Sequence, residues 1–148
     1  MKPVLLIIVG LLFSVGCVST PNIEDHSIFL EKNRNTPGVA VTDTGLQYEV
    51  LREGIGLKPK ESSKVTLHYV GKNIDGSEFD NTYSRGEPPS FVLGGVIPGL
   101  VEGVQKMDVG SKYRFVVPAE LAFGDRGAGK KIKPNSTLIY EVELLDFE

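Results

Sequence analysis

Few side chains in this 148-residue chain are of a kind that attacks a bond, ligates a metal or cradles a phosphate. The one cysteine, Cys17, has no partner for an internal disulfide, and the two histidines, His26 and His68, stand in dissimilar contexts, so no Cys/His cluster of zinc spacing exists. Gly94-Gly95 could open a phosphate loop, yet no Lys-Ser/Thr pair follows, and the pair reads as a backbone turn. Residues 126–133, RGAGKKIK, form a basic stretch that reads as a solvated loop, able at most to touch an anionic lipid or an acidic client. Taken singly, Asp80 is a turn carboxylate and Arg85 a surface charge, while Tyr69, Phe79, Phe91, Phe123 and Tyr140 read as core aromatics. The formal net charge of −3, from 16 Lys+Arg against 19 Asp+Glu, lacks the basic excess that phosphate-backbone binding requires, which argues against a nucleic-acid partner.

The first twenty residues carry an address. Lys2 precedes an apolar run over residues 4–13, and small residues lead to Cys17, the pattern of a secretory signal over residues 1–16. The run is shorter than the ~20 residues a membrane-crossing helix needs. Ser14-Val15-Gly16-Cys17 resembles the bacterial lipobox, with Ser14 where Leu is usual. That resemblance implies a lipidated Cys17 at the mature N-terminus, a membrane anchor, and a soluble body in the cell envelope facing the periplasm; the alternative is ordinary cleavage near Gly16. Two or more acyl chains are needed for stable anchoring, since one alone binds only marginally.

Positioning elements follow. Residues 17–44 are polar, with Pro21, Pro37 and a short apolar patch at Ile28-Phe29-Leu30, and read as a tether holding at most a short helix over 28–33. Beyond Gly45 the alternation predicts strands over 46–51, 64–72, 112–117 and 137–147, with Asp75-Gly76 as a hairpin-type turn. Residues 98–107 instead place Leu100, Val104 and Met107 at helical spacing, with Pro98 at the start and Asp108-Val109-Gly110 at the end. Strands plus one short helix in about a hundred residues define an α+β domain over 45–148, with a ligand cleft between helix and sheet.

Within that domain the strings VTLHYVG (65–71), GSEFDNT (76–82), FVLG (91–94), VIPGL (96–100), MDVG (107–110), VPA (117–119), AFG (122–124) and NSTL (135–138) follow in order, closing with EVEL (141–144). In this order and spacing they resemble the FKBP-type peptidyl-prolyl cis/trans isomerases, and especially their bacterial envelope members. The resemblance implies a curled antiparallel sheet of five or six strands wrapped around one short helix, with a hydrophobic pocket that receives a prolyl side chain. It also implies an isomerase that accelerates folding of exported proteins without a nucleophile, metal or cofactor. Proline-containing unfolded or partly folded polypeptides are the implied partners, and a macrolide is a further implied ligand.

Position by position, the resemblance makes Tyr69, Phe79, Asp80 and Phe123 the catalytic set. Val96, Ile97, Leu100 and Tyr140 line the substrate pocket, Phe91 and Ile132 lie near its edge, and Arg85 pairs with Asp80. Asp80 accepts from the Tyr69 hydroxyl, and the Ile97 N–H holds a substrate carbonyl. Three positions depart from the family pattern: Leu100 where Trp is frequent, Phe123 where Tyr is common, and Tyr140 where Phe is common. Phe123 has no hydroxyl to donate, a loss of about 1 kcal/mol per bond. His68 alternates to the face opposite Tyr69 and reads as structural. The departures at Leu100 and Phe123 keep open a second reading, a proline-segment-binding chaperone or adaptor with little turnover.

Overall fold

Alternating β-branched and aromatic residues build the sheet, because each such strand has one face to bury and one to leave in water. The structure, a computed structural model, describes residues 23–148. Its strands are β1 (Val39–Val41), β2 (Gln47–Arg52), β3 (Lys64–Asn73), β4 (Glu78–Asn81), β5 (Ser90–Val92), β6 (Lys112–Val117) and β7 (Leu138–Phe147). The two α-helices are α1 (Ile23–Arg34) and α2 (Pro98–Val104). All pairings are antiparallel in the order β1-β2-β6-β7-β3-β4, with β5 also pairing β3.

β3 organises this arrangement. Along one side it pairs β7 from Val65↔Phe147 to Asn73↔Leu138, and its other side is shared between β5 at residues 64–66 and β4 at residues 70–72. The β3–β4 turn closes at Gly76, whose φ of +87° suits glycine, with Asn73 N–H bonded to the Ser77 carbonyl at 2.9 Å. On the inner face Leu67, Tyr113, Phe115, Val117, Leu138, Tyr140, Val142 and Leu144 are buried, which is the parity expected of half-buried strands.

α2 lies against this face through its glycines. A Cβ on Gly103 would stand 2.6 Å from Phe115 Cε1, and one on Gly99 would stand 2.4 Å from Val117 Cγ1, so helix and sheet touch backbone to side chain. Pro98 occupies the first turn, where its missing N–H costs nothing. The helix stops at Val104, short of the expected 107, because the N–H groups of Lys106 and Met107 bond only three residues back, to the carbonyls of Gly103 and Val104. Met107 is nonetheless fully buried, as its spacing required.

Residues 23–44 hold a helix and a strand. α1 spans twelve residues where a turn or two over 28–33 was expected, and β1 adds an edge strand before residue 45. Together with the short β4 and β5 this gives seven strands and a second helix where five or six strands and one helix were expected. α1 docks through polar groups: Asn33 Nδ2 donates to Gln47 Oε1 at 2.7 Å, Gln47 Nε2 donates to the Leu30 carbonyl at 3.0 Å, and Arg114 Nη1 reaches Asn33 Oδ1 at 3.1 Å. His26 Nδ1 accepts the Thr137 N–H at 3.1 Å, and burial lowers the histidine pKa. Docking of this kind leaves no apolar stripe to read. The expected signal segment and Cys17 lie outside the described residues.

Gly103→Ala should force Phe115 or α2 to move and destabilise the fold by about 1–3 kcal/mol, as overpacking does. A Cβ at Gly95 meets nothing within 4 Å, so Gly95→Ala is the matched control. Thermal melts followed by far-UV circular dichroism should show a drop of several degrees for the first and almost none for the second.

Candidate functional site

Between α2 and the inner face of the sheet the side chains fail to close, leaving an open cavity of about 540 Å³. β3 sends Leu67 and Tyr69 into it, two residues apart on one face, and β7 sends Tyr140 and Val142 by the same parity. β4 contributes Phe79 and Asp80, the following 3-10 turn Arg85, and β5 Phe91. The Leu93–Gly95 turn delivers Val96 and Ile97 to the start of α2, from which Leu100 points inward. Phe123 and Ile132 complete the rim. All eleven positions singled out in the sequence therefore meet at one cavity.

The walls are aromatic and mutually braced. Phe79 meets Tyr140 edge-on at 5.5 Å between ring centroids, and Tyr69 is tilted against Tyr140 at 6.0 Å. Phe79 can lie there because Gly71 beneath it is bare: a Cβ at that position would stand 2.4 Å from Phe79 Cε2. Ile132 on that rim is buried, and reciprocal backbone hydrogen bonds join it to Ala128 at 2.9 and 3.2 Å. Phe123 is the most open of the aromatic walls, 36% exposed.

One end of the cavity is polar. The Tyr69 hydroxyl donates to Asp80 Oδ2, Arg85 Nη1 pairs with Asp80 Oδ1, and the Asn81 N–H donates to the same oxygen at 2.9 Å. Burial alone would raise the Asp80 pKa, but the hydrogen bonds from Tyr69 and Arg85 and the guanidinium charge outweigh it and hold the carboxyl below its ordinary value. Tyr69 is pushed the other way, first by burial and then by its bond to the Asp80 carboxylate. The Ile97 N–H, also on the cavity lining, has no protein acceptor among the described residues.

His68 lies on the outer face, as its alternation predicted. Its Nδ1 is 2.9 Å from Thr82 Oγ1 and its ring stacks on Tyr83 at 4.3 Å. Tyr83 in turn donates to Glu143 at 2.7 Å, and burial together with that bond pushes its pKa up to about 12. Leu67, Leu93, Val104 and Val142 also line the cavity and were not singled out. Strand parity from Tyr69 and Tyr140 would have found Leu67 and Val142; Leu93 carries no such signal.

An antiparallel sheet with a cavity walled by aromatics and closed by a glycine-faced helix defines a binding pocket. Residues 56–145 match the family described as FKBP-type peptidyl-prolyl cis-trans isomerase, and residues 18–50 match the domain amino terminal to it. The chain belongs to the FKBP-type peptidyl-prolyl cis-trans isomerase family. It is 49% identical over 118 residues to the FKBP-type 22 kDa peptidyl-prolyl cis-trans isomerase of Escherichia coli, covering 80% of this chain and 57% of that protein. It is 44% identical over 117 residues to the outer membrane protein MIP of Legionella longbeachae, covering 79% of this chain and 50% of that one. The chain thus spans about half the length of these relatives. The crystal structure of FkpA from Escherichia coli superposes with a TM-score of 0.82 at 47% identity, covering 84% of this chain and 58% of that one. A peptidyl-prolyl cis-trans isomerase from Pseudomonas syringae superposes at 0.80 with 33% identity, over 85% of this chain and 92% of that one.

The carboxyl group of Asp80, followed by carbon NMR, should titrate below the ordinary aspartate range, and Arg85→Gln should move its midpoint upward because the guanidinium donor and its positive charge are lost. By linkage, the stability this carboxylate adds is present above the ordinary aspartate range and is lost as the pH falls through its lowered midpoint.

Proposed function

We propose that the protein is an exported peptidyl-prolyl cis/trans isomerase, tethered to the envelope through a lipid on Cys17 and accelerating the folding of exported polypeptides. The observation that carries this reading is the convergence of Tyr69, Phe79, Asp80, Ile97, Phe123 and Tyr140 on one hydrocarbon cavity with a single charged end. The reading includes a signal peptide over 1–16, a polar tether over 17–44, within which α1 and β1 fall, and an isomerase domain over 45–148.

Rotation about an X-Pro bond faces a barrier of about 20 kcal/mol because amide resonance is lost at the twisted midpoint. Water favours the planar, more dipolar amide. A pocket that takes the prolyl ring among Phe79, Leu100 and Tyr140 strips that water and favours the twisted form by differential binding. The Ile97 N–H holds a substrate carbonyl, and Asp80, locked by Tyr69 and Arg85, fixes the wall that the rotating carbonyl passes. A thousandfold acceleration requires roughly 4 kcal/mol, within the range of shape and a few hydrogen bonds.

The same cavity would seat a macrolide, with Phe123 offering apolar contact but no hydroxyl donor. The name of the Legionella relative, an outer membrane protein, supports an envelope location for this chain. Val18 after Cys17 agrees with the outer membrane, lacking the Asp that retains some lipoproteins at the inner one.

A protease-coupled proline-peptide assay should show catalysis by the wild type, with Phe79→Ala and Asp80→Val each lowering kcat/KM about tenfold or more, roughly 1.4 kcal/mol of transition-state stabilisation. Three equal rates with no excess over buffer would reject catalysis and leave a proline-segment binder. Mass analysis of the mature N-terminal peptide should find a diacylglyceryl-modified Cys17; an unmodified residue there rejects the anchor.

A further inference from the structure

The cavity lining holds few hydrogen-bond donors, and most are committed. The Tyr69 hydroxyl gives its only proton to Asp80. Arg85 pairs with Asp80 from a side chain that is half exposed at the rim. Phe123 has none to give. Tyr140 is different. It is buried to all but 5%, its ring is gripped by Phe79 and Tyr69, and its hydroxyl makes no hydrogen bond to the described residues. The hydroxyl is not sealed in the core either, where Ser111 Oγ is the only enclosed side-chain nitrogen or oxygen without a hydrogen-bond partner among the described residues. It therefore opens into the cavity it lines. Burial raises its pKa, so the proton stays in place, and the further contributions of Tyr69 and Asp80 put it toward the polar end.

A seated proline would cover this hydroxyl. The ring carries only carbon and a tertiary amide nitrogen, so the acceptors that enter with it are the two carbonyl oxygens flanking it. The Ile97 N–H, on the lining and without a protein acceptor among the described residues, serves one. Building on the isomerase reading, we propose that the Tyr140 hydroxyl donates to the carbonyl oxygen of the residue preceding proline, making Tyr140 a substrate-positioning and specificity-determining residue. An amide oxygen is most basic while resonance is intact. This bond therefore holds the planar ground state at least as firmly as the twisted form, so it strengthens binding and does not speed rotation.

The test compares the full-length wild type with Tyr140→Phe, which keeps the ring packing and removes only the oxygen. Two proline peptides are used, one with an ordinary amide and one with a thioamide at the bond before proline, whose sulfur is a weak acceptor. Tyr140→Phe should raise KM for the amide peptide about threefold to tenfold without lowering kcat. The wild type should bind the amide peptide more tightly than the thioamide by a margin that shrinks in Tyr140→Phe, a coupling that a merely structural hydroxyl would not produce. An unchanged KM, a fall in kcat, or the same amide-to-thioamide ratio in both proteins would overturn the assignment. A wild type without turnover would sink the isomerase reading alone, because the peptide-binding ratios still decide the role of the hydroxyl.

Discussion

A carboxylate at the edge of a hydrocarbon hollow keeps its charge only if its bonds outweigh the water it has lost. Asp80 meets that condition with three donors, Tyr69, Arg85 and the Asn81 N–H, taken from β3, the turn after β4 and β4 itself. The same bonds fasten three successive pieces of chain. They hold β4 against the far half of β3, so Phe79 presents its ring inward, and they set Tyr69 at the angle from which it braces Tyr140. The charged end and the apolar walls are in this sense one construction, and neither side chain set would keep its place without the other.

The second constraint is closeness. A cavity of about 540 Å³ inside so small a domain must be bordered by surfaces that do not fold into it. α2 achieves this by meeting the sheet through Gly99 and Gly103 on one flank, against Val117 and Phe115, while Leu100 on another flank faces the cavity. The helix is thus pinned on the core side and spared from collapsing on the open side. Val104 and Met107, buried at its end, anchor it to the floor.

Much of this was legible in the sequence because the signals are periodic or punctuated. β3, β6 and β7 alternate over six to ten residues and stand within a residue or two of where the pattern put them. The Asp75-Gly76 turn and Pro98 mark their positions by backbone chemistry. β4 and β5, at four and three residues, are too short for alternation to speak, and they exist because β3 is long enough to offer a free side twice. α1 was legible only as a short helix over 28–33, and β1 not at all, for another reason: amides, a histidine and an arginine hold α1 down, and polar docking is indistinguishable in sequence from a solvated linker. The site was legible as a set of positions through the ordered family strings. Its inner geometry was not, since the state of the Tyr140 hydroxyl depends on which neighbours are satisfied elsewhere.

Gly71 sits behind the cavity, outside the ring of side chains that face a ligand, yet its lack of a Cβ is what lets Phe79 lie flush with β3. Engineering campaigns that randomise only the visible walls would leave this position untouched and so never reach the adjustment that tilts a whole aromatic panel at once. Backbone bareness behind a binding surface is, in this molecule, a hidden dial for its width.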